Sequence, residues 1–145
     1  MSHPGFLDLI AGSPGVGKLV SAVEKGVTPV QVTGAEGYAR LAVAAALVHK
    51  VSKPAVLVFP SPEEAVTATR DLGELLGADR VLLFPAREVM PFETETNREA
   101  LWMRIRCLTR LAGPAEHPPV VVMPATAMVR NVMSPERFRR GCRRY

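Results

Sequence analysis

Short runs of valine and leucine recur along this chain, and helical patterns fill the intervals between them. The runs at 30–33, 55–59, 81–84 and 120–123 read as strands. Each is brief, and the runs at 55–59, 81–84 and 120–123 lack apolar–polar alternation, the pattern of strands buried on both faces of a parallel sheet. Residues 38–49 are rich in alanine and leucine with little polar surface, which predicts a helix packed tightly against that sheet. Ser61-Pro62-Glu63-Glu64 is a helix start: Ser61 can cap free amides, Pro62 suits the first turn, and Glu64 falls three after the cap. Val66, Leu72 and Leu76 supply parts of that helix's inner face, and Gly77 ends it. A third helix is predicted from 96 or 97 to 111. Leu101, Ile105, Leu108 and Ala112 form its buried stripe, Arg98, Arg104 and Arg110 face outward, and Gly113-Pro114 stops it. Strands alternating with helices define an α/β fold, a parallel sheet with flanking helices joined by right-handed crossovers.

Two glycine runs carry the candidate nucleotide chemistry. Gly34-Ala35-Glu36-Gly37 lies between the first expected strand and the first long helix, which is the setting of a phosphate-binding loop. A working loop continues with a lysine and a hydroxyl residue. This chain continues with Tyr38-Ala39-Arg40, and Glu36 would repel a phosphate. The cradle at Gly34, Gly37 and Arg40 therefore reads as degenerate. The run Gly12-Ser13-Pro14-Gly15-Val16-Gly17-Lys18 has phosphate-loop spacing, but Leu19 occupies the place where a hydroxyl must reach magnesium. Its competing reading is a turn between two short helical pieces, which makes Gly12, Gly17 and Lys18 a decoy.

The chain has 145 residues, which suits one domain, and hydrophobic residues make up 48% of it, enough for a core. Its two cysteines, Cys107 and Cys142, have no metal-site spacing, and they suggest no disulfide framework. No secretory leader is legible at Met1, and the apolar stretch at 41–48 is far too short to span a bilayer, so the expected location is the cytoplasm with no membrane contact. His3, His49 and His117 do not cluster in sequence, and no strand ends in paired carboxylates. Catalytic residues, metal ligands and cofactors are therefore not expected.

The net charge of +4 is uneven, because residues 130–145 carry six arginines and one acid while the rest of the chain is close to neutral. Arg137, Arg139, Arg140, Arg143 and Arg144 form a basic tail. Such a tail can hold phosphate backbones through nonspecific charge. The loop at 85–95 is the most distinctive local text, with two prolines and with apolar Val89, Met90 and Phe92 set between charges. Met90 and Phe92 are expected to tuck under the sheet edge, while Arg87, Glu88, Arg98 and Arg104 are candidates for polar contacts.

Together these stretches resemble the amino-terminal region of the bacterial transcription-repair coupling factors, which is homologous to UvrB. The texts that carry the likeness are Val32-Thr33-Gly34 with the helix after it, Pro54-Ala55-Val56-Leu57-Val58-Phe59-Pro60, the run from Leu82 to Glu93, Arg104 to Leu111, and Val120 to Met128 followed by Ser134-Pro135. The strands alone are common. The Glu88-Val89-Met90-Pro91-Phe92-Glu93 loop followed by a basic helix is more specific. The likeness covers residues 28–140 and implies three parts: a helical lead-in at 1–27, a UvrB-like α/β region at 28–136, and at 137–145 a basic tail or the start of a domain that lies beyond this chain.

The resemblance implies a partial, degenerate P-loop or helicase-like domain. Tyr38-Ala39-Arg40 would stand where UvrB has its working glycine-lysine-threonine, so this module would not hydrolyse ATP, although the full-length family protein is an ATP-dependent DNA translocase. Where UvrB carries an aromatic damage-sensing hairpin, this chain runs from Phe92 into Glu93-Thr94-Glu95. In the family this region is associated with recruitment of UvrA and with restraint of the motor through contacts to the translocase part. The UvrA-binding residues lie mainly in the small domain that follows, which makes UvrA a partner of the whole protein first. Two other readings remain open: a small P-loop enzyme using Gly12 to Lys18, and weak nonspecific DNA binding through the arginine tail.

Overall fold

A computed structural model gives the fold and describes residues 3–86, 98–113, 117–129 and 131–141. Three strands form one parallel sheet: β1 (Ala55–Phe59), β2 (Val81–Leu83) and β3 (Val120–Pro124). β3 lies between the other two. Ala55 pairs with Val120 and Phe59 with Pro124 on one side, and Val81 pairs with Val120 on the other. The helices are α1 (Pro4–Ala11), α2 (Pro14–Glu24), α3 (Tyr38–Val51), α4 (Pro62–Leu76), α5 (Arg98–Ala112), α6 (Ala125–Met128) and α7 (Pro135–Gly141). The chain thus has a mixed α/β fold, a small parallel sheet flanked by helices.

The order explains the layers. The connection through α4 passes over β3 to reach β2, and the connection through α5 returns. Crossovers of one hand then place their helices on opposite faces. Side-chain parity agrees. Leu57, Leu83, Val120 and Val122 meet α4, whereas Leu82, Phe84, Val121 and Met123 join Cys107 of α5. Val120, Val121 and Val122 are all fully buried, so the central strand is apolar on both faces, as its text implies.

α4 begins as its sequence predicts, with the Ser61 hydroxyl accepting from the Glu64 amide at 3.2 Å. Gly77 closes it at φ 97°, a conformation that favours glycine. Its inner face is Ala65, Ala68, Leu72, Leu75 and Leu76. Val66 instead points outward, because it is one helical step from Ala65 and falls off the stripe.

Three further expectations are corrected. Residues 30–33 form no strand: Val30 is 40% and Val32 51% exposed, and the segment runs as irregular chain beside α2 and α3. A strand needs a neighbour to supply its ladder, and among the described residues β1 pairs with β3 and with no other segment. α3 packs chiefly among α1, α2 and α4 rather than flat on the sheet. On α5 the buried position is Cys107, while Leu101 is exposed and Ile105, Leu108 and Ala112 are only half-buried. The stripe is rotated because α5 presses on Leu82 and Phe84 through Cys107 and its neighbours.

The first two helices belong to the body of the fold. Leu7 of α1 is buried in the main core with Leu41, Ala45 and Leu72. Asp8 receives Lys50 at 2.8 Å and lies 3.3 Å from His49, tying α1 to the last turn of α3. Arg80 donates to the Pro118 carbonyl at 3.0 Å and the Val48 carbonyl at 3.3 Å, so one side chain joins the entries to β2 and β3 with the end of α3. No described helix is long and apolar enough to cross a membrane; α1 and α2 meet at an angle of 89°.

Candidate functional site

Parallel α/β folds place their sites at the carboxyl ends of strands. At the end of β1 an open cleft of about 370 Å³ lies among Gly37, Tyr38 and Arg40 of the glycine loop and α3, Phe59 of β1, and Glu63, Glu64 and Asp71 of α4. Gly34 (φ 83°) and Gly37 (φ 52°) turn the chain into α3 through left-handed backbone. No side chain caps that helix start. The Arg40 guanidinium lies 3.8 Å from Glu64 and 5.8 Å from the centre of the Phe59 ring. Arg40, in the first turn of α3, thus has a carboxylate beside it in an exposed pair, and Glu63 and Asp71 add to the negative charge of the cleft. A phosphate entering here would meet more repulsion than attraction.

The second glycine run has a different fate. The chain turns at Gly12 and Ser13, then enters α2 at Pro14, so Gly15, Gly17 and Lys18 lie on a helix. The Gly17 amide donates to the Ser13 carbonyl at 2.9 Å and is used within the helix rather than aimed at a ligand. Lys18 is exposed on α2. The two glycine runs lie on separate elements and build no common cradle.

The candidate arginines separate into two groups. Arg104, expected to face outward, is half-buried: it donates to the Pro85 carbonyl at 2.8 Å and stacks over Phe84. Its long stem and planar head cover an apolar surface that solvent would otherwise reach. Arg110 donates to the Asp79 carbonyl at 3.2 Å. Arg98 is exposed on α5, and Arg137, Arg139 and Arg140 are exposed on α7, which packs against α5. Arg87, Glu88, Arg143 and Arg144 lie outside the described residues, as do Met90, Phe92 and Cys142.

Two features were not singled out from the sequence. Val56 and Val58 are 54% and 45% exposed on β1, on the face turned away from the α4 side, and among the described residues no element covers them. Trp102 is 68% exposed on α5. The tryptophan had a legible signal in the spacing of Arg98, Trp102 and Arg106, one helical turn apart each time. The valines had none, because a strand open on one face and a strand buried on both can share one apolar text.

Among the described residues, no three His, Cys, Asp or Glu side chains group as metal ligands. Cys107 is buried, and its thiol donates to the Leu83 carbonyl at 3.2 Å. Burial pushes its pKa up to about 11, against the pull of Arg106 and Arg104. These features define a small parallel α/β protein with an electronegative cleft at one strand end and a basic helical surface elsewhere. No protein-family model matches the chain, and no curated protein matches it.

Proposed function

We propose that this chain is a non-catalytic protein-interaction module, a decayed helicase-like P-loop region of the kind found at the amino terminus of transcription-repair coupling factors. The observation that carries the reading is the outer face of β1. Val56 and Val58 stand open there, beside a strand edge that has no partner among the described residues. Exposed apolar sheet surface next to an unpaired edge favours contact with another protein surface. Support also comes from the glycine loop, where Tyr38-Ala39-Arg40 replaces the phosphate-binding triplet and Arg40 sits near Glu64. In this reading no bond is made or broken; the module presents a rigid platform. The partner is UvrA or the translocase part of the same protein.

The test has two arms on the full chain. Calorimetry with magnesium and ATP, beside a circular dichroism spectrum, should show folded protein and no binding heat. Immobilised chain should retain purified UvrA or the purified translocase part, and Val58→Lys should lose that retention without a change in the spectrum. Magnesium-dependent ATP binding that Lys18→Ala removes would replace this reading with a P-loop enzyme. Failure to retain either purified partner would overturn the docking role.

A further inference from the structure

We propose that the exposed stripe Arg98–Trp102–Arg106 on α5, together with the arginines of α7, is a binding surface for single-stranded nucleic acid. The three α5 residues stand at i, i+4 and i+8, about 6 Å apart along the axis at each step. Each is exposed, and Trp102 lies on the side of the helix opposite buried Cys107. A large aromatic ring left 68% open on a charged helix gains little from folding. Flanked by two guanidinium groups, it offers a stacking platform for a base with cations placed for the neighbouring phosphates.

The charge of the surface selects the partner. α5 and α7, which are in contact, carry seven arginines against two glutamates, Glu99 and Glu136. Arg104 and Arg110 are spent on backbone carbonyls. Arg98, Arg106, Arg137, Arg139 and Arg140 have no ion-pair partner among the described residues. Five arginines without an ion pair among the described residues, against Glu99 and Glu136, complement a polyanion, and the open ring between two of them favours one with exposed bases. A duplex hides its base faces and cannot use Trp102 in this way. This surface lies on α5 and α7, whereas the protein-docking reading rests on β1, so either can fail without the other.

Trp102 is the sole tryptophan, which makes it its own reporter. The full chain is titrated with a fluorescein-labelled thymidine 20-mer, and tryptophan emission and fluorescein anisotropy are followed together. Saturable quenching with the same midpoint as the anisotropy change is expected, with affinity falling at least tenfold between 50 and 200 mM salt. Trp102→Ala should weaken binding about tenfold. Arg98→Ala with Arg106→Ala should lower the slope of log affinity against log salt by about 1 to 2. Circular dichroism confirms that these surface variants are folded. Undetectable binding at 50 mM salt overturns the proposal. So does binding without quenching that Trp102→Ala leaves unchanged, which would assign it to nonspecific charge. Equal affinity for a duplex or for polyglutamate would also overturn it.

Discussion

The guanidinium carbon of Arg104 lies 4.0 Å from the centre of the Phe84 ring, on the α5 side of the sheet. The same head group donates to the Pro85 carbonyl, so one side chain fixes α5 to the segment leaving β2. Replacing Arg104 with alanine removes a cation–π contact and a charged hydrogen bond, a loss of about 1–3 kcal/mol. Arg104→Lys keeps the charge but loses the planar stack, and its loss should be intermediate. Urea unfolding of the variants measures both. Equal stability of Arg104→Ala and the parent chain would show that the contact contributes nothing.

Cys107 should behave as a core residue with a protected thiol. Its pKa is raised by burial from 9.0 in the free side chain to about 11, so the folded state favours the protonated form. The stability this contributes is fully present below pH 9 and is lost as pH rises through about 11. Iodoacetamide labelling, read on the peptide that contains Cys107, should be slow in native buffer at pH 8 and rapid in denaturant. Rapid native labelling at that peptide would contradict the packing of α5 on Leu83.

Asp8 predicts an effect in the acid direction. The Lys50 ammonium, hydrogen-bonded to it, holds its carboxyl below the ordinary value of 3.8, with smaller help from His49. A lowered carboxyl stabilises the fold above pH 3.8, and that contribution disappears as pH falls through the depressed folded-state value. Asp8→Asn should therefore be less stable than the parent at pH 6, and the gap should close toward pH 2. Thermal melts across that range are the measurement. A gap independent of pH would mean that the ion pair does not tie α1 to α3.

Leu72 sits where α4 meets α1, α3 and the sheet, with no exposed surface. Leu72→Ala should cost about 2–5 kcal/mol, the range for a large aliphatic truncated in a core. Val66→Ala, six residues earlier on the same helix but exposed, should change stability by less than about 0.5 kcal/mol. Chemical denaturation of the pair tests the orientation of α4 directly, since a reversal of the two effects would mean that the helix is rotated.

Much of the fold was legible because local chemistry and tertiary packing agree. The text at Ser61-Pro62-Glu63-Glu64 specifies a cap through bonds within one turn, and that cap forms. The valine run at 120–122 is apolar enough to be buried on both faces, and β3 is central. The Gly12 to Lys18 run remained ambiguous in sequence because glycine and proline serve a phosphate loop and a helix start equally well.

What the sequence by itself determined was the alternation of apolar runs with helical segments and the two ends of α4, the Ser61 cap and the Gly77 stop, which are set by residues near one another in the chain. Only the tertiary structure decided which apolar text becomes sheet. Val30 and Val32 have the same side chains as Val56 and Val58, yet among the described residues no strand lies alongside to take their backbone hydrogen bonds. The structure likewise decided which arginine is structural. Arg98 and Arg104 look alike in the text; a rotation of α5 sets one in solvent and the other over Phe84, because Cys107 and not Leu101 fits against β2.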